Sequence, residues 1–246
     1  MVIPKILHQV WEGVAEPIVP TRLKILSETW KKHNPEWNYL LWNAEKMNFF
    51  IKEHFPYYWE TYSNFKYAVQ RWDAIRYMLL YVYGGIYVDL DTECFKNIES
   101  IFTSNKNIYI GLEPYDHILY GYPNPLIGNA FLASTPKQEF WLNILDTINE
   151  NNIKYKCISR KGDYVLRTTG PLMISEVVEK YKDDIHLLPP NLVAPVSKSE
   201  LIDYLGNRSN NFNEKISKAY CAHYFFGSWE SKFSIYKTFD YDRNGI

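Results

Sequence analysis

Hydrophobic and polar positions along this chain follow two periods, and together they lay out an α/β order. The apolar run Ile3 to Trp11 predicts a buried first strand, with Pro4 at its start, where a missing N–H is tolerated. From Thr21, the positions Leu23, Ile25, Leu26 and Trp30 have helical spacing, and Asn34-Pro35 ends that helix. Trp37 to Asn43 predicts a second strand, followed by a short helix from about Ala44. The most legible helix runs from Phe65 to Tyr83. Its Phe65, Val69, Trp72, Ile75, Leu79 and Val82 form one apolar stripe. Ser63 or Asn64 is its expected cap, and Gly84-Gly85 its left-handed exit. Ile86 to Asp91 resumes as a strand.

Further strands are expected at Asn107 to Glu113 and Gly128 to Ser134. A helix is expected over Thr135 to Glu150, with Pro136 at its start, and another over Thr169 to Tyr181. Asp184 to Pro190 and Lys218 to Phe225 read as late strands, with a surface loop around Pro189 to Pro195. This alternation predicts an α/β sheet. With no repeat, low-complexity linker or compositional break, a single domain over residues 1–246 is expected.

The chain has 246 residues and is 46% hydrophobic, enough for one substantial core. Its formal net charge of -1 gives no electrostatic reason to expect a nucleic acid partner. Aromatic residues make up 17%, which fits either a tyrosine-rich core or surface rings that stack on flat ligands. The three cysteines, Cys94, Cys157 and Cys221, are odd in number and far apart. They give no disulfide framework or zinc spacing, and a reducing compartment is expected. The opening residues have no signal-peptide pattern, and no apolar run reaches about 18 residues. The expectation is a cytoplasmic protein that meets a membrane, if at all, peripherally at its inner face.

Chemistry concentrates in YGGIYVDLDTE, Tyr83 to Glu93. Asp89 and Asp91 stand at i and i+2 at a strand end, so their carboxylates share a face or converge through a turn. Either arrangement suits a hard divalent cation, and a solvated turn is the plain alternative. On the preceding helix Asp73 and Arg76 lie side by side at i, i+3, as an ordinary surface ion pair or as the edge of the same cleft. His8 reads as structural.

The segment DAIRYMLLYVYGGIYVDLD resembles the D-x-x-R…GG-x-Y-x-D-x-D signature of glycosyltransferase family 32, the DXD sugar-binding group. That group includes yeast mannosyltransferases and bacterial capsular polysaccharide enzymes, and it is similar to the catalytic domains of large clostridial glucosylating toxins. IPKILHQVWEG, NAFLASTPKQEFW, TGP and AHYFFGSW are similar to other parts of the family, so the likeness covers nearly the whole chain. It implies a GT-A fold, a Rossmann-like mixed sheet flanked by helices. The part up to about residue 115 would bind the nucleotide sugar, and the remainder would form the acceptor side and a C-terminal lid. It implies Mn²⁺ or Mg²⁺ as cofactor and a UDP-hexose or GDP-mannose donor. The implied acceptor is a glycan or a lipid-linked saccharide in surface polysaccharide synthesis.

Residue by residue, the resemblance makes Asp91 the direct metal ligand and Asp89 the carboxylate that meets sugar and metal. It makes Asp73 and Arg76 holders of the donor sugar, and Trp11 a base-stacking aromatic. His223 becomes a candidate third metal ligand. Ser228 and Trp229 become lid residues, of which the Ser is an alternative to His223 in the metal shell and the Trp closes on the phosphates. Asn129 is a candidate for the reaction centre, and Thr169 with Gly170-Pro171 for the acceptor side. The implied reaction retains anomeric configuration and needs no protein base. Two other readings remain open from the residues: a haloacid dehalogenase-like phosphatase, using DLDT with Lys182-Asp183-Asp184, and a non-catalytic sugar- or calcium-binding module.

Overall fold

A computed structural model describes residues 2–13, 18–117, 125–205 and 211–227. The first strand β1 (Ile6–Val10) is followed by helix α1 (Thr21–His33), β2 (Asn38–Trp42), α2 (Ala44–His54) and the short α3 (Trp59–Ser63). Helix α4 (Ala68–Tyr83) leads into β3 (Gly85–Val88), β4 (Thr92–Cys94), β5 (Ile108–Leu112) and β6 (Ile127–Ser134). Then come α5 (Glu139–Lys154), α6 (Lys161–Thr168), α7 (Pro171–Val178), β7 (Ile185–Leu188), α8 (Pro190–Val193), α9 (Lys198–Leu205), α10 (Phe212–Lys218) and β8 (Cys221–His223).

Six strands form a mixed sheet in the order β2-β1-β3-β6-β5-β7. β1 is parallel to β2 and β3, β6 is antiparallel to β3 and β5, and β7 is parallel to β5. Helices pack over the sheet, with Trp30 against one side and Tyr77, Met78 and Trp141 in the larger cluster. Tyr58, Tyr62, Tyr77, Tyr87, Tyr109 and Tyr224 are all buried. Part of the tyrosine excess therefore serves the core, while Tyr57 and Tyr115 are exposed.

The glycine pair between α4 and β3 is required sterically. Gly84 and Gly85 have φ of 65° and 89°. A Cβ on Gly84 would lie 2.7 Å from the Ser134 carbonyl oxygen, and one on Gly85 2.3 Å from that of Ile6. The chain therefore leaves the helix and enters the sheet centre with no side chain in the way.

Several expectations are corrected. The helix cap is neither Ser63 nor Asn64, because those residues belong to α3 and its end. Instead α4 begins after Tyr67, whose N–H donates to Gln70 Oε1 at 3.1 Å. The strand expected through Asp91 stops at Val88 and turns. Pro189 to Pro195 is not a surface loop. Pro190, Val193 and Ala194 are buried in and after α8. The strand expected over Lys218 to Phe225 is only β8, and it lies outside the main sheet, antiparallel to β4. In that ribbon Cys94 pairs directly with Cys221, so two cysteines distant in sequence are neighbours, both buried free thiols. Among the described residues, no helix is long and apolar enough to cross a membrane.

Candidate active site

The carboxylates sit on the turn joining β3 to the β4–β8 ribbon. Asp89 N–H donates to Ala130 O at 2.9 Å, extending the β3–β6 ladder by one residue. Thr92 then closes the turn, its N–H and Oγ1 donating to Asp89 O at 3.1 and 2.6 Å. On the other strand of the ribbon, Tyr224 N–H donates to Asp91 O at 3.0 Å and Phe226 N–H to Asp91 Oδ2 at 2.8 Å. The ribbon thereby brings His223 to the turn. Its Nε2 is 3.2 Å from Asp91 Oδ1 and 3.8 Å from Asp89 Oδ2. This is neither a solvated turn nor a plain core histidine. Asp89, Asp91 and His223 each offer a ligand atom, all within 4.8 Å of one another. Two carboxylates and an imidazole fit a divalent cation, and the nitrogen suits Mn²⁺ better than Mg²⁺.

Behind the turn lies a buried ion network. Arg76 is 4% exposed and Asp73 equally so, which removes the surface-pair reading. Arg76 Nη2 is 3.0 Å from Asp73 Oδ1, and Nη1 is 3.1 Å from Asp89 Oδ1 and donates to Asn129 O at 2.7 Å. The Arg76 guanidinium also lies over the Tyr87 ring, 4.5 Å from its centroid. Asp73 accepts further bonds from Asn129 Nδ2 at 3.0 Å and Thr169 Oγ1 at 2.8 Å. Burial raises the Asp73 carboxyl, partly offset by Arg76. Burial acts on Asp91 in the same direction, but the His223 imidazolium and the Phe226 N–H outweigh it and hold the carboxyl below its usual range. For His223, burial opposes protonation, yet Asp91, Asp89 and Glu113 push the imidazole up to about 9.

These residues line one cavity of about 500 Å³. Trp11, at the end of β1, lies on its wall together with Asp73, Arg76, Asp89, Asp91, Asn129 and His223. Gly170 and Pro171 line it also, while Thr169 sits behind Asp73. Ser228 and Trp229, expected in the lid, lie outside the described residues. Asp89, the nucleophile in the phosphatase reading, is engaged by Arg76 and by the Tyr87 hydroxyl. Lys182-Asp183-Asp184 precedes the edge strand β7 and is not part of the cavity lining.

Sequence reasoning missed four participants. Tyr87 donates its hydroxyl to Asp89 Oδ1 at 2.7 Å. It is the Tyr of the GG-x-Y-x-D-x-D signature, which gave it no role, and it stands two residues before Asp89 on a strand, so the period of two was a usable signal. Glu12 accepts from Arg71 Nε at 2.7 Å and Trp72 Nε1 at 2.5 Å, bracing the wall beside Trp11. Glu113 and His117 also line the cavity, and only the fold brings them there.

Comparison with known proteins agrees with this geometry. Residues 20–108 match the family model described as a glycosyltransferase sugar-binding region containing the DXD motif. The chain is 30% identical over 213 residues to inositol phosphoceramide mannosyltransferase 1 of Schizosaccharomyces pombe, a match covering 85% of this chain and 59% of the relative. It is 32% identical over 183 residues to the mannosyl phosphorylinositol ceramide synthase SUR1 of Saccharomyces cerevisiae, covering 73% and 43%. The chain thus spans about half the length of the curated relatives it matches. Among solved structures it is similar to the PaToxG glycosyltransferase, with a TM-score of 0.52 at 19% identity, covering 87% of this chain and 79% of the other. Residues 20–108 are thus similar to a glycosyltransferase sugar-binding region containing the DXD motif, and the chain has a GT-A fold.

Proposed function

We propose that this protein is a metal-dependent, retaining hexosyltransferase that moves a sugar from a nucleotide sugar to a hydroxyl of a glycan or lipid-linked acceptor. The observation that carries the reading is the convergence of Asp89, Asp91 and His223 beside the buried Arg76–Asp73–Asn129 network in one cavity. A divalent cation on the first three would supply Lewis-acid stabilisation of the departing diphosphate.

The protein's own groups set the rest. Arg76 and Tyr87 both bond Asp89 Oδ1, fixing that carboxylate before any substrate arrives. Trp11 presents an aromatic wall for the nucleoside base, and the Asp73–Arg76 pair meets the hydroxyls of the donor sugar. Sugar transfer builds oxocarbenium character at the anomeric carbon and negative charge on the diphosphate. With retention, the acceptor hydroxyl attacks from the leaving-group face and its proton passes to the departing phosphate oxygen, so no protein base is needed. The relatives are named as mannosyltransferases, which puts GDP-mannose first among candidate donors. UDP-glucose, UDP-galactose and UDP-N-acetylhexosamine follow. We place the reaction in the cytoplasm, on surface-glycan precursors.

The test is release of nucleoside diphosphate from these four donors with and without Mn²⁺. The expected result is slow, Mn²⁺-dependent release from one donor, accelerated by a hydroxyl acceptor. Release from none of them contradicts the reading, and liberation of phosphate from simple phosphoesters would establish the phosphatase instead.

A further inference from the structure

One wall of the cavity plays no part in holding donor or metal as assigned above. The β5–β6 register is irregular between Ile110 and Leu112, and Glu113 follows directly. Such irregularities re-aim side chains beside active sites. Glu113 N–H donates to Leu126 O at 2.8 Å, and its side chain lies over Gly128. A Cβ at Gly128 would stand 3.0 Å from Glu113 Oε1 and 2.9 Å from Gly111 O. The absence of a side chain at 128 therefore makes room for the carboxylate.

Glu113 is 8% exposed and faces the cavity. Its Oε2 is 3.0 Å from His117 Nδ1, whereas Oε1 has no hydrogen-bond donor among the described residues. Glu113 lines the cavity, and its Oε1 is not sealed from solvent, so it is open to a donor from a bound molecule. The wall continues to the metal-ligand cluster. The His117 ring packs on Phe225 at 4.7 Å between centroids, and Phe225 on His223 at 4.0 Å. Phe225 has φ of 49°, an uncommon conformation for a non-glycine residue and one that marks functional sites.

We propose that Glu113 binds the acceptor, with Oε1 accepting a hydrogen bond from a hydroxyl of a neutral polyol seated against His117 and Phe225. This inference rests on the transferase reading above. A hydroxyl offers the donor that Oε1 lacks, and an aromatic edge or face suits the apolar side of a sugar or cyclitol ring. A phosphate is the wrong partner for Oε1 itself, because a phosphate oxygen offers it no donor and like charges repel.

The test compares the native protein with Glu113→Gln, using Mn²⁺ and whichever donor the native protein turns over. The acceptor probes are methyl α-mannopyranoside and myo-inositol, with glucose 6-phosphate as the anionic comparison. Both neutral probes should divert sugar from water to acceptor in the native protein, more effectively than glucose 6-phosphate. In Glu113→Gln the ratio of transfer to hydrolysis should fall about tenfold through a higher acceptor KM, as expected for loss of one charge-assisted bond. The rise in melting temperature induced by Mn²⁺ and donor should persist, which also shows that the variant is folded. Equal ratios in the two proteins would overturn the proposal, and so would loss of the donor-induced rise, which would assign Glu113 to donor or metal. No response of the native protein to either polyol would overturn the polyol assignment. A native protein that turns over no donor at all would remove the transferase reading and this inference with it.

Discussion

Arg76 is held from four directions. Its Nη1 is close to Asp89 and Asn129 O, its Nη2 to Asp73, and its Nε donates to Trp72 O at 3.2 Å. The sequence located this residue and its partner, because the D-x-x-R spacing puts two side chains together on a helix whatever the fold does. It did not reveal that the pair is buried, since that depends on β6 covering the helix edge with Asn129. The same limit applies to Glu113, which has no local pattern and acquires a role only from the bend in β5. His8 illustrates the reverse, a histidine read correctly as structural. Its Nε2 is 3.0 Å from Gly84 O, and Trp42 Nε1 donates to its Nδ1 at 3.1 Å. Burial pushes its imidazole down to about 4, against a usual value near 6.5. The unfolded chain therefore binds that proton more readily than the folded one. The contribution is full above about pH 6.5 and is lost as pH falls toward 4. Between pH 7.5 and 5, native protein should lose about 2 kcal/mol more unfolding free energy than His8→Gln, read by urea denaturation. Equal losses would contradict the assignment.

At the scale of elements, the glycine exit from α4 was legible, because a Gly-Gly pair directly after an apolar stripe is a strong helix stop. Gly85→Ala places a methyl group 2.3 Å from a backbone oxygen in a left-handed conformation. It should cost more than about 2 kcal/mol in urea denaturation. Gly162→Ala, in α6 with nothing within 4 Å of the new Cβ, should be neutral or mildly stabilising. Similar costs at the two positions would contradict the steric role of the hinge. A strand around β8 was expected, but its pairing with β4 was not legible. β4 has only three residues, too few to show a period, and the pairing joins segments far apart in the chain. Yet this ribbon carries His223 to the carboxylates. The short helices α6, α8, α9 and α10 escaped for the same reason, being held by packing more than by their own pattern.

For the whole molecule, the α/β class follows from the alternating periods, and the mixed GT-A sheet is as expected from the resemblance. Strand order and direction were not readable from periodicity, because a period of two says nothing about which strand lies alongside. What the assembled molecule adds is convergence. Residues from β1, α4, the turn after β3, β6 and β8 meet at one cavity, and the central claim is that this cavity holds a metal-bound sugar nucleotide. The most direct test is equilibrium binding of the sugar nucleotides to native protein and to Asp91→Ala, titrated with and without Mn²⁺. Native protein should bind one donor in a Mn²⁺-dependent manner. Asp91→Ala, still folded by circular dichroism, should lose at least about tenfold in that affinity, the equivalent of about 1.4 kcal/mol. Unchanged Mn²⁺-dependent binding in the variant would contradict the claim.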